Sequence, residues 1–234
     1  MINDTIVLTA IYHEFWGTEQ FRKSVERVGL DVYNVFPENT PYRGNGFIYQ
    51  YFYKAFLDLK DKYKTVIYSD GADTVFQKAF VPPTDRIIYS VEKAIWPPAE
   101  RFPHLKVLYD NYYNKHWRRN DWPWKYLNGG NWCGPIHLLI EWYERYGLKD
   151  LTGDINGQRE QAEAFMKADA DGFPIKFDHN CEYFQTTGFE NQGDFSLAED
   201  GKSIINNLTG TIPCVLHGNG RTPMNAIYNR YNVQ

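Results

Sequence analysis

An α/β domain with a mostly parallel central sheet flanked by helices is the fold class that this sequence predicts, and three observations predict it. From the first residues onward, short β-branched apolar runs alternate with longer runs whose apolar residues recur at helical spacing. Glycines close several of the helical runs, and polar residues follow the strand-like ones. The chain of 234 residues, 43% hydrophobic and 17% aromatic, can fill one such core, so residues 1–234 read as a single domain.

The elements follow in order. Residues 5–11 are a β-branched strand, residues 19–28 a helix closed by Gly29, and residues 30–36 a second strand. Across residues 46–62, Ile48, Phe52, Ala55, Phe56 and Leu59 recur at helical spacing and lead into a third strand at 65–69. Residues 86–91 read as a fourth strand, 136–146 as a helix ending at Gly147, and 158–167 as another helix. Residues 190–207 carry the weakest regular pattern.

Composition narrows the function. A net charge of -4 gives no global attraction to nucleic acid or to an anionic membrane. No apolar run approaches the ~18 residues of a spanning helix, so no membrane association is expected. The first residues enter a strand with no basic segment and no small-residue cleavage site, which points to a cytoplasmic protein. Cys133, Cys181 and Cys214 are odd in number and lack metal-type spacing, as reduced core cysteines would.

Two strand ends carry chemistry. In "VIYSDGADTVFQ" the third strand runs onto Asp70 and Asp73, with only small residues between them. Hard oxygen ligands on a tight turn suit Mn²⁺ or Mg²⁺, although a plain polar turn would read the same way. In "IPCVLHGNGRT" a late strand ends on His217, Gly218, Asn219 and Gly220. Glycines there admit close approach of a ligand, and an imidazole added to two carboxylates favours Mn²⁺ over Mg²⁺. Ligands of α/β sheets gather at such carboxyl ends, so these residues read as a metal and phosphate site.

The ordered series "VIYSDGADTVFQ", "IIYSVEKAIWPP", "YLNGGNWCGP", "FDHNCEYFQ" and "CVLHGNG" resembles the glycosyltransferase domain of the procollagen lysyl hydroxylases and its microbial and viral relatives, over roughly residues 5–230. The resemblance implies a GT-A fold, a UDP-glucose or UDP-galactose donor, and a Mn²⁺ ion held by Asp70, Asp73 and His217. It implies a donor pocket that begins at Thr9 and Ala10 and includes Trp96, Asn128, Gly129, Gly130 and the Gly218-Asn219-Gly220 backbone. Without the resemblance, Asn128 to Gly130 would read as a plain loop before the helix at 136. Glu92 matches the family's glutamate and is the expected base. The family's run of aspartates followed by glutamine corresponds to "TGDINGQREQAEAF", which implies Asp154, Glu160 and Gln161 on the sugar side. Where relatives carry a tyrosine that stacks on uracil, this chain has Ala72, and Tyr12 or Phe15 would have to supply the platform.

The acceptor segment is expected at 109–126, where Lys115, Arg118, Arg119 and Lys125 stand among tyrosines and tryptophans, including Trp122 and Trp124. Such interleaving suits a hydroxymethylated base in DNA or a hydroxylysine in a collagen-like protein. A catalytically silent nucleotide-sugar-binding protein and a metal-dependent phosphohydrolase are the alternatives.

Overall fold

The computed structural model describes residues 2–36, 40–116, 122–188, 193–222 and 224–230. Its elements run β1 (Thr5–Thr9), α1 (Thr18–Arg27), β2 (Val32–Asn34), α2 (Asn45–Leu59), β3 (Thr65–Ser69), β4 (Thr74–Phe76), β5 (Ile87–Glu92), α3 (Pro103–His116) and β6 (Tyr126–Pro135). They continue α4 (Ile136–Arg145), α5 (Gly157–Ala170), β7 (Ile175–Phe177), β8 (Phe184–Thr186), β9 (Phe195–Leu197), β10 (Ile204–Asn206), β11 (Val215–His217) and α6 (Asn225–Arg230).

A six-stranded sheet ordered β2-β1-β3-β6-β5-β7 forms the centre. The pairs β1/β2, β1/β3 and β5/β7 are parallel, and β6 alone runs against its neighbours β3 and β5. Both faces of the sheet are buried, so its strands alternate between two cores rather than between core and water. Ile6, Leu8, Val66, Tyr68 and Trp132 face the aromatic core beneath α2, α4 and α5, with Phe52, Phe56, Trp142 and Phe165. Val7, Ile67, Ile88 and Cys133 point the other way, toward Phe21 and Val25 of α1 and Phe76, Phe184 and Val215. That second layer contains a three-stranded sheet, β4-β11-β8.

Three expectations change. Residues 126–135, where the sequence predicts no strand, are the ten-residue strand β6. Its glycines hide a strand whose Leu127, Trp132 and Cys133 are fully buried. Trp122 and Trp124, expected on an acceptor surface, are 9% and 0% exposed and belong to the aromatic core. Their large rings gain more from burial than their basic neighbours suggest. Residues 109–116, expected in the acceptor segment, belong to helix α3, which turns Leu105, Tyr109 and Tyr113 inward. Arg118 and Arg119 lie outside the described residues. The three cysteines are buried, as expected of core cysteines. Among the described residues, no helix is long and apolar enough to cross a membrane.

Candidate active site

Strand pairing brings the metal-type residues together. Asp70 follows β3, and its backbone N–H donates to the Gly130 carbonyl at 2.9 Å. Asp73 precedes β4, which pairs antiparallel with β11 so that His217 stands opposite Thr74, while the Gly218 N–H donates to the Asp73 carbonyl at 2.7 Å. His217 Nε2 then lies 3.5 Å from Asp70 Oδ2 and 3.4 Å from Asp73 Oδ1. One ligand atom from each of the three lies within 4.8 Å of the others.

The surroundings fit a divalent cation. Asn128 Oδ1 accepts from the Gly130 N–H at 3.1 Å, and its amide nitrogen donates to Glu92 Oε2 at 3.3 Å. The Asn128 oxygen therefore faces His217, whose Nδ1–H donates to it at 3.0 Å, leaving the Nε2 lone pair toward the carboxylates. Gly130 leaves the space open: a Cβ there would stand 2.3 Å from His217 Cε1 and 2.6 Å from Asp70 Oδ2. The Tyr68 hydroxyl donates to Asp70 Oδ1 at 2.7 Å and fixes that carboxylate.

Asp70 keeps 44% of its side-chain surface open, in the cleft that it shares with His217 and Gly130. Burial raises its pKa, with His217 pulling it down and Asp73 pushing it up. Burial alone would lower the pKa of His217, but the carboxylates of Asp73 and Asp70 outweigh it and the net shift is upward. Two carboxylates crowded against a buried imidazole form a site that a divalent cation would relieve.

The triad opens on a cavity of about 690 Å³, whose walls include Glu92, Trp96, Asn128, Gln158, Asn219 and Gly220. A second chamber of about 260 Å³ shares Asp70, Trp96, Gly130 and Gln158 and adds Gly129 and Gln161. Glu92, 4% exposed at the end of β5, accepts from Asn219 Nδ2 at 2.7 Å, from Asn128 and from Gln158. Burial raises its pKa against the pull of these amides. Trp96 is 54% exposed at the mouth.

The structure brings most of the expected residues to these chambers and leaves some outside. Thr9 is buried at the end of β1 beside Gly71, and Ala10 packs on the core, so both stand behind the Asp70 turn and line neither chamber. Gly218 packs against Met224. Asp154 is exposed on the turn before α5, against Gly44. Glu160 pairs with its neighbour Arg159. Neither acid is in either wall, because α5 turns Gln158 and Gln161 inward and carries Glu160 on another face. Tyr12 stacks on Tyr42 with ring centroids 4.8 Å apart, and Phe15 lies 5.5 Å from Tyr12. An aromatic cluster thus stands beyond β1, and the Ala72 carbonyl is held by the Tyr228 hydroxyl at 3.0 Å.

Two residues of the site were not singled out in the sequence, Tyr68 and Gln158. Tyr68 had a signal, a hydroxyl two residues before an aspartate at a strand end. Gln158 had none, because its partners come from β5, β6 and the Trp96 segment.

The PLOD GT domain family matches the chain over residues 3–232. An uncharacterised protein of Acanthamoeba polyphaga mimivirus is 27% identical over 163 residues, covering 68% of this chain and 30% of its own length. The chain thus spans under a third of the curated relative it matches. Among solved structures, a glycosyltransferase involved in the glycosylation of the major capsid of PBCV-1 aligns with a TM-score of 0.51 at 8% identity, over 98% of this chain and 99% of that one.

Proposed function

The chain belongs to the PLOD GT domain family, and from that premise we propose that this glycosyltransferase moves a hexose from UDP-glucose or UDP-galactose to a hydroxylysine-type hydroxyl of a collagen-like polypeptide, with Mn²⁺ held by Asp70, Asp73 and His217. The single observation that carries this reading is the triad opening on a cavity whose lining includes a buried carboxylate, Glu92.

When bound, the ion supplies positive charge to the diphosphate that leaves the sugar. The chain's residues do the rest. Tyr68 and Asn128 fix the ligating atoms of Asp70 and His217 before the donor arrives. Gly130 and Gly220 admit the donor close to backbone, and Trp96 offers a flat face to a sugar ring. Glu92 has three of its roughly four lone-pair sites taken by amides, which leaves one to accept the acceptor hydroxyl's proton. Its raised pKa strengthens it as a base. An imidazole ligand favours Mn²⁺, with Mg²⁺ as the weaker substitute.

For the acceptor, burial of Trp122 and Trp124 removes the two rings that a flipped DNA base would stack on, which favours the polypeptide. One observation supports a second reading: Asp154 and Glu160 stand outside the chambers, as in a silent nucleotide-sugar-binding protein. A two-ion phosphohydrolase is disfavoured, since the described residues hold one three-ligand cluster.

The test is nucleoside-diphosphate release from UDP-, GDP- and ADP-sugars with Mn²⁺, Mg²⁺ or chelator, adding a hydroxylysine peptide or hydroxymethylated DNA in turn. The expected result is Mn²⁺-dependent release from a UDP-hexose that rises with the peptide. Binding of UDP and Mn²⁺ without release under any condition would establish the silent reading instead.

A further inference from the structure

We infer that Gln158 is the positioning residue of this site, a side-chain clamp that ties Glu92 and the Trp96 segment to a bulge in β6. The inference rests on the transferase reading for its effect on turnover and on geometry for the clamp itself.

The bulge comes first. On β5, Tyr89 stands opposite Trp132 and Val91 opposite Leu127, so residues 128–131 of β6 have no register partners on β5. Such a swelling re-aims side chains, and here it delivers Asn128 to His217 and lays Gly130 against Asp70. It also takes backbone groups off the ladder, and buried backbone groups need partners.

Gln158 supplies them. It is the second residue of α5, and its Oε1 accepts from the Gly129 N–H at 3.0 Å while Nε2 donates to the Leu127 carbonyl at 2.8 Å. The side-chain amide therefore occupies the place of a neighbouring strand. Its second N–H donates to Glu92 Oε1, and the Trp96 carbonyl at 3.3 Å shares these two hydrogens as a weaker third acceptor. One amide joins α5, β6, the end of β5 and the segment at the cavity mouth, in the wall that both chambers share.

Charge explains why an amide serves here. The buried Glu92 carboxylate must be met by donors, and an acid at 158 would face it with a like charge and no donor. The polar atoms of Gln158 are all engaged with protein, so it acts through Glu92 and Trp96.

The clamp is tested with Gln158→Ala and Gln158→Glu, by hydrogen exchange of peptides covering 93–98 and 127–130, by calorimetric binding of UDP with Mn²⁺, and by turnover. Gln158→Ala is expected to speed exchange in both peptides by about tenfold or more with the rest of the protein unchanged. It should lower kcat by on the order of 10- to 100-fold while UDP and Mn²⁺ bind within about threefold of wild type. Gln158→Glu keeps the shape and the acceptor for Gly129, so it should slow exchange at 127–130 back toward wild type yet turn over no faster than the alanine variant. A glutamate variant clearly more active than the alanine variant would show that the side chain merely fills space. Weakened UDP binding with unchanged exchange would show that it touches the donor, and either result overturns the clamp. If wild type releases no nucleotide from any donor, the transferase reading fails, and exchange alone decides the clamp: unchanged rates at both peptides reject it.

Discussion

At the scale of single residues, one missing methyl group decides whether the triad can exist. A Cβ on Gly130 would stand 2.3 Å from His217 Cε1 and 2.6 Å from Asp70 Oδ2, and both neighbours are held by other hydrogen bonds. Gly130→Ala must therefore push apart two of the three ligands. We expect Mn²⁺ affinity, measured by calorimetry on the folded variant, to fall by on the order of 100-fold, comparable to loss of a ligand-orienting residue. Unchanged affinity would remove the ion from this position. The ligands themselves were legible in the sequence, because Asp70, Asp73 and His217 each leave a recognisable apolar run. The residues around them were legible only in part: the resemblance implied Asn128 as a donor contact, not as the partner of His217, and neither Tyr68 nor Gln158 was singled out. Asn128 and Gln158 act through a bulge, and a bulge is a mismatch between two strands that no single stretch of sequence records.

At the scale of elements, the corner between β7 and β8 sets a pH dependence. The Asp178 carboxylate accepts backbone N–H groups of Glu182, Tyr183 and Phe184 at 3.0, 2.8 and 2.8 Å and so closes the turn. Burial pushes its pKa up to about 6 against those hydrogen bonds, while burial pushes the adjacent His179 down to about 4. The signs oppose. Folded Asp178 holds its proton more tightly than the unfolded chain, so between about pH 6 and 4 its contribution to stability grows on acidification. Folded His179 resists protonation, so its contribution falls from about pH 6.5 to 4. In His179→Asn the second slope disappears. The stability difference, variant minus wild type, should rise as pH falls through that window, approaching about 1.4 kcal/mol per pH unit. A difference curve from urea unfolding that is flat between those limits would contradict the burial assigned to His179. Elements with clean periodicity, such as α2 and β3, were legible from the sequence. In the second layer β11 was legible as the late strand that ends on His217, whereas the three-residue β8 and α3, with aromatic residues around much of its surface, offer no pattern to read.

At the scale of the whole molecule, the site exists only when the chain is folded. Its parts come from the turn after β3, the bulge of β6, the start of α5 and the end of β11, elements from both layers of the fold. The unfolded chain holds no such arrangement, so a ligand of this site binds the native state alone and stabilises it by mass action. At about 100 times the dissociation constant the gain is ~2.7 kcal/mol. For a chain of this size each kcal/mol moves Tm by roughly 2–4 °C, so UDP with Mn²⁺ should raise Tm by roughly 5–10 °C. The sign of the cooperation follows from charge. Asp70 and Asp73 repel a diphosphate until a cation stands between them, so UDP in the presence of chelator should give little shift, and Mn²⁺ alone an intermediate one. Thermal unfolding of the protein alone and under these three conditions checks this. An equal rise with UDP in chelator would place the nucleotide away from the triad, and the reading of Asp70, Asp73 and His217 as the diphosphate's anchor would fall with it.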